Sequence, residues 1–315
     1  MVIETTVVGS FPPLPIKPLE VAIKEIIQLQ LCHNIDLISD GEQRNNMIQY
    51  FEQILGLEQF GDGLRIVGKV EPIKPAKLDE FYKITDFKTV KTILKDLCKD
   101  VKVKISITGP MTLGTICASA DINSTTANYN LDDEETLFSD FSQALLPIAQ
   151  RLLELGAYLQ IDEPLLSTGQ IPLETAKTVL KKFVTQIPSS AIKEEKIICH
   201  VCGSIKSVPG LYEALLGLGI PVLSVGFSGD LERENFDVFS RDSLKQHGVK
   251  LAAGFLSNNT VEDQATVIER CNRIMGKVGR ENIQYLCPDC GFRATPLKKV
   301  EQILEEMTQV AKQTS

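Results

Sequence analysis

The sequence predicts an α/β protein, a (β/α)₈ TIM barrel forming a single domain over residues 1–315. Three observations predict it. Eight short runs are rich in β-branched and apolar residues, amphipathic stretches lie between most of them, and residues able to do chemistry collect where the runs end. A doubly wound open sheet is the alternative, but no GxGxxG follows the first run.

In chain order, TTVVGSF (5–11) precedes the helical pattern LEVAIKEIIQLQL (19–31), and IDLISDG (35–41) comes next. Residues 52–102 are the least regular, which predicts inserted structure after the second strand. VKISITGP (103–110) leads to DEETLFSDFSQALLPIAQRLLELG (133–156), and AYLQIDEP (157–164) to LETAKTVLKKFVTQI (173–187). KIICHVCG (196–203) leads to GLYEALLGLG (210–219), and IPVLSVGF (220–227) follows. KLAAGFLS (250–257) with VEDQATVIERCNRIMGKVG (261–279), then IQYLCPDCG (283–291) with PLKKVEQILEEMTQVAKQ (296–313), complete the series. Most runs are continuously apolar, as parallel strands covered on both faces require. Gly156, Gly219 and Gly279 stand where helix C-caps belong, and Asp132 and Thr260 where N-caps belong.

A net charge of −8 disfavours nucleic acid and anionic membranes as partners. No apolar stretch approaches the ~18 residues of a membrane span, and the N-terminus lacks a signal-peptide pattern, so the expected location is cytoplasmic. The lysine clusters (Lys95, Lys99, Lys102, Lys104; Lys181, Lys182; Lys298, Lys299) read mostly as solvated helix faces. Eight cysteines in such a chain do not suggest a disulfide framework. Cys32, Cys98, Cys117 and Cys271 sit in apolar or helical contexts and read as buried thiols.

A barrel places its chemistry at the C-terminal ends of the strands. Those ends carry Gly9-Ser10, Asp40-Gly41-Glu42, Thr108-Gly109, Asp162-Glu163, His200 with Cys202, Ser224, Ser257, and Cys287 with Cys290. In His200-Val201-Cys202 the strand alternation turns both polar side chains to the mouth. Cys287-Pro-Asp-Cys290 is compatible with a redox pair, a structural zinc knuckle or two buried thiols. Its place after the last strand disfavours the redox pair, which belongs at a helix N-terminus after an early strand. Imidazole with two or three converging thiolates is a zinc set.

Six segments, TTVVGSFP, SDGEQRNNMIQYF, SITGPMTLG, QIDEPLLSTG, HVCGS and PDCG, together resemble the catalytic domain of cobalamin-independent methionine synthase. They span nearly the whole chain in the family's order, and the short single-barrel archaeal type is the nearest pattern. The resemblance implies transfer of a methyl group to the thiol of homocysteine held on zinc. It implies that Val8, Gly9 and Ser10 meet the amino acid's carboxylate end and that Glu42 and Asp162 hold its ammonium group. N-capping of the following helices is the alternative role for those two carboxylates. His200, Cys202 and Cys290 match three zinc ligands of the family.

The sequence also departs from the family. A glutamate ligand is expected after the sixth strand, where this chain has Gly226. Cys287 is the expected substitute, and Asp230, Glu232 and Glu234 are weaker ones. At the seventh strand the family's Asp and His are replaced by Asn258 and Asn259, and there is no Trp to stack a pterin, Ile116 or a neighbour taking its place. No match to the folate-contacting Arg-Cys pair falls in 59–70, and no segment resembles the large N-terminal domain of folate-dependent members. These losses fall on the donor side, so the expected donor is a methylcorrinoid, on a protein or as methylcobalamin, rather than methyl-folate. The alternative is a diverged, non-catalytic or other-thiol barrel with a structural zinc knuckle that binds an amino acid or a corrinoid partner.

Overall fold

The computed structural model describes residues 3–130 and 133–314. Its strands are β1 (Glu4–Thr5), β2 (Leu37–Ser39), β3 (Leu55–Phe60), β4 (Gly63–Glu71), β5 (Lys102–Thr108), β6 (Tyr158–Asp162), β7 (Ile197–Val201), β8 (Val222–Gly226), β9 (Lys250–Leu256) and β10 (Ile283–Pro288). Eight of them form one parallel sheet in the order β1-β10-β9-β8-β7-β6-β5-β2. Parallel bridges Thr6–Leu37 and Ser10–Gly41 bring the two end strands together, so the sheet closes into a (β/α)₈ barrel. β1 is only two residues long, and side chains reinforce the seam with β2. Thr6 Oγ1 donates to the Leu37 carbonyl at 2.7 Å, and Ser39 Oγ to the Gly9 carbonyl at 2.6 Å.

The irregular region 52–102 resolves into an antiparallel hairpin, β3–β4, and the helix Tyr82–Asp96. The hairpin is the added structure. The helix is the barrel's own second helix, masked in the sequence by the insertion ahead of it. The helices bury one stripe against the sheet: Leu297–Thr314 buries Val300, Ile303, Leu304, Met307 and Val310, at spacings of three and four. Each such side chain contributes roughly 1.5–3 kcal/mol of burial free energy. Among the described residues no helix is long and apolar enough to cross a membrane.

Three expectations need correction, and a fourth falls outside the described residues. Thr260 does not cap a helix; Asp263 does, accepting the Thr266 N–H at 3.1 Å. Glu262 is drawn instead to Arg270 and the Ser257 N–H, which holds residues 261–263 outside the helix. Asp132 lies outside the described residues, and Asp133 caps the helix Glu134–Glu154. Cys32 and Cys98 are exposed, since both sit where a helix ends and the chain turns back toward a strand; Cys117 and Cys271 are buried as expected. Lys102 and Lys104 lie on β5 and on no helix face. Lys104 points into the barrel, where its Nζ donates to the Val7 carbonyl at 2.5 Å and to Gln160 Oε1 at 2.6 Å. Strand alternation sends it inward with Ser106 and Thr108, and burial pushes its pKa down to about 8.

Candidate active site

The barrel interior is apolar at one level: Leu37, Ile198, Val222, Ala252, Tyr285 and Cys287 pack together there. One residue pair further along the strands it becomes polar. Gln160 Nε2 donates to Asp162 Oδ1 at 2.7 Å and to the Val8 carbonyl at 2.8 Å, while Lys104 occupies its Oε1. Lys104 therefore fixes which end of the Gln160 amide faces Asp162. On β7 and β8, His200 Nδ1 lies 3.0 Å from Ser224 Oγ.

Beyond that layer, the ligand atoms of His200, Cys202 and Cys290 lie within 4.8 Å of one another, the one such group among the described residues. The two sulfurs are 3.2 Å apart. With Nδ1–H donating to Ser224, the imidazole presents its Nε2 lone pair, and that nitrogen is buried without a hydrogen-bond partner. Such a group costs about 1–3 kcal/mol when left unpaired. An ion would remove that cost, and one imidazole with two thiolates is a donor set that zinc accepts. The hydroxyl behind the ring is the kind of outer partner that orients a ligating histidine. The residues present therefore fit zinc.

Cys287 does not join them. It is the last inward-facing residue of β10 and is buried in the apolar level, where loss of solvent pushes its thiol up to about 12. Cys290, three residues on, has left the strand and reached the mouth. The expected knuckle is thereby split, because a strand end holds its two sulfurs at different depths. Gly226 supplies no ligand either. A Cβ there would lie 2.7 Å from Leu231 Cδ1 and 3.1 Å from Asp289 Cβ, and one on Gly254 would lie 2.6 Å from Asp289 Cα. These two glycines let the loop before Cys290 cross the strand ends. Asp230 and Glu234 are exposed on the helix Gly229–Phe236, and Glu232 pairs with Arg270. Asn258 braces the same loop: its N–H donates to Asp289 Oδ1 at 2.8 Å and its Nδ2 to the Gly291 carbonyl at 2.7 Å.

A cavity of about 360 Å³ opens beside the three donors, and Val8, Gly9, Ser10, Glu42 and Asp162 all line it. Asn46, Met47 and Arg293 line it too, and the sequence reading missed them. Their only signal was proximity, to Glu42 in the first two cases and to Cys290 in the third. Neither Glu42 nor Asp162 caps a helix. Glu163 does so instead, accepting the N–H groups of Met111 at 3.0 Å and Thr112 at 2.8 Å.

Glu42 is buried, and its Oε1 accepts a hydrogen bond from Lys83 Nζ at 2.6 Å. Burial alone would lower the Lys83 pKa, but attraction by Glu42 and then Asp40 outweighs it and leaves it raised. Asp162, at the cavity wall, is raised by loss of solvent. Burial raises Asp40 from 3.8 to about 7, and its Oδ2 has no partner. A carboxyl raised in the folded state stabilises fully below its unfolded pKa, and that contribution is lost as pH rises through about 7. Asp40→Asn should therefore flatten the fall in melting temperature between about pH 4 and 7, where the wild type loses up to ~1.4 kcal/mol per pH unit from this group. Parallel melting curves for the two proteins across that range would show the assignment to be mistaken.

Fold and site together define a barrel protein with a cavity at its strand ends, walled by two carboxylates and a His-Cys-Cys donor set. Comparison with known proteins makes this specific. A family model described as the catalytic domain of the cobalamin-independent synthase matches residues 14–313, and the chain belongs to that family. A methionine synthase of Methanothermobacter marburgensis is 30% identical, over 98% of each chain. A 5-methyltetrahydropteroyltriglutamate–homocysteine methyltransferase of Catharanthus roseus is 23% identical over 99% of this chain but only 42% of its own length. Among solved structures, a B12-independent methionine synthase from Shewanella, in complex with selenomethionine, shares the fold at a TM-score of 0.72 and 18% identity, covering 99% of this chain and 97% of that one.

Proposed function

We propose that this methyltransferase moves a methyl group onto the thiol of homocysteine to form methionine, with zinc held by His200, Cys202 and Cys290. The observation that carries this is the single cavity in which those donors meet Glu42, Asp162 and Ser10. Zinc in that position would bind a thiol and lower its pKa, giving a nucleophile at neutral pH. The chain's own residues do the rest. Glu42 and Asp162 offer two carboxylates to an ammonium group. Ser10, the backbone at Gly9 and Arg293, the only Lys or Arg lining the cavity among the described residues, suit the substrate carboxylate. A thiol anchored at three points is presented at a fixed angle, which supplies the near-attack geometry of methyl transfer.

For the donor we propose a methylcorrinoid, on a protein or as methylcobalamin. The family's description as cobalamin-independent runs against this. Two features favour it: among the described residues no Phe, Tyr or Trp and no histidine besides His200 lines the cavity, and Asn258 is spent on bracing the Cys290 loop. A pterin would have neither a stacking partner nor a proton donor there, whereas cobalt as leaving group needs no proton. The zinc-loaded protein should methylate homocysteine at least ~10-fold faster from methylcobalamin than from methyltetrahydrofolate. Equal or faster turnover with the folate would refute the corrinoid proposal and leave homocysteine methylation standing.

A further inference from the structure

Lys83 is 1% exposed, and its Nζ sits 2.6 Å from Glu42 Oε1 and 3.8 Å from the centroid of the buried Tyr50 ring. It comes from the helix Tyr82–Asp96, touches none of the His-Cys-Cys donors and does not line the cavity. Glu42 is fixed from two further directions. Its backbone is in the left-handed region at φ 50°, and its carbonyl accepts Arg293 Nη1 at 3.0 Å. With Oε1 committed to Lys83, the second carboxylate oxygen remains to face the cavity. Asp40 lies close by and donates no positive charge, and Arg44 is engaged by Asp86. Among the described residues, Lys83 is thus the one cation placed to balance Glu42 from behind.

We propose that Lys83 is a positioning residue that gives this site its selectivity for a thiol bearing an α-ammonium group. The proposal rests on Glu42 being the partner of that ammonium. A buried carboxylate without a counter-charge takes up a proton or turns away, and either change removes the acceptor that an ammonium group needs. The thiol-handling end of the cavity is unaffected, because Lys83 makes no contact there. Recognition of the amino group should therefore fail while recognition of the thiol survives.

The test uses zinc-loaded protein and two thiols, homocysteine and 4-sulfanylbutanoate, which is homocysteine without its amino group. Lys83→Met should raise the KM and the calorimetric Kd for homocysteine ~10-fold or more. It should change kcat by less than about threefold and leave kcat/KM for 4-sulfanylbutanoate unaltered. Lys83→Arg should restore much of the loss. Equal losses on both thiols, or no change in homocysteine KM, would overturn the proposal. Where Lys83→Met folds poorly, Glu42→Gln/Lys83→Met removes both charges and should match Glu42→Gln alone, because Lys83 acts through Glu42. A full additional loss in the double variant would also overturn the role of Lys83. If Glu42→Gln by itself leaves homocysteine binding unchanged, the ammonium assignment fails, and the role of Lys83 falls with it.

Discussion

Cys290→Ala is expected to lose both bound metal and methyl transfer. Two of the three donors remain in that variant, and a pair of ligands at a partly open site holds zinc too weakly to survive purification. Metal content should drop from about one zinc per chain to below ~0.1, with turnover falling by at least ~10³-fold. The companion variant, Cys287→Ala, should keep its zinc, because that thiol packs against Leu37, Ile198, Val222, Ala252 and Tyr285. It should cost stability instead, on the order of 1 kcal/mol for the small space left behind. Elemental analysis of the two purified variants decides the matter. Full zinc and full activity in the Cys290 variant would exclude the proposed centre. Loss of zinc from the Cys287 variant alone would return that cysteine to the ligand set.

Asp162→Asn carries the second large effect. Gln160 Nε2 holds Asp162 Oδ1 at 2.7 Å, and Lys104 holds the other end of that amide, so the carboxylate is aimed before any substrate arrives. Asparagine nearly matches the shape but not the charge, and it places an N–H₂ group where either Gln160 or the ammonium group needs an acceptor. Losing one of two carboxylates around a cation should lower kcat/KM for homocysteine roughly 10²-fold, or about 2–3 kcal/mol. Zinc content should be unchanged. Steady-state kinetics with metal analysis on the same preparation checks both statements, and wild-type kcat/KM would remove Asp162 from substrate binding.

The barrel was readable because its signals are local. Apolar strand runs, helix stripes of three- and four-residue spacing and polar residues at strand ends all lie within a few positions of one another. His200 and Cys202 were legible together because strand alternation is a local rule. Where an alternative local use of the same residue types existed, the reading failed. Lys104 resembled a solvated lysine because its place on an inward-facing strand position depends on the closed sheet. Lys83 was hidden in a region whose helix is preceded by an inserted hairpin.

Cys287 and Cys290 show the boundary most plainly. The sequence by itself determined the barrel, the family pattern, and that imidazole, thiolates and two carboxylates would gather at its mouth. It could not determine the depth at which β10 ends. Only the tertiary structure decided that Cys287 stays in the apolar interior while Cys290 swings over to Cys202, and that Lys83 stands behind Glu42. The physical reason is that ligation and ion pairing depend on distances of a few ångströms between residues as many as 88 positions apart, and those distances exist only once the sheet has closed.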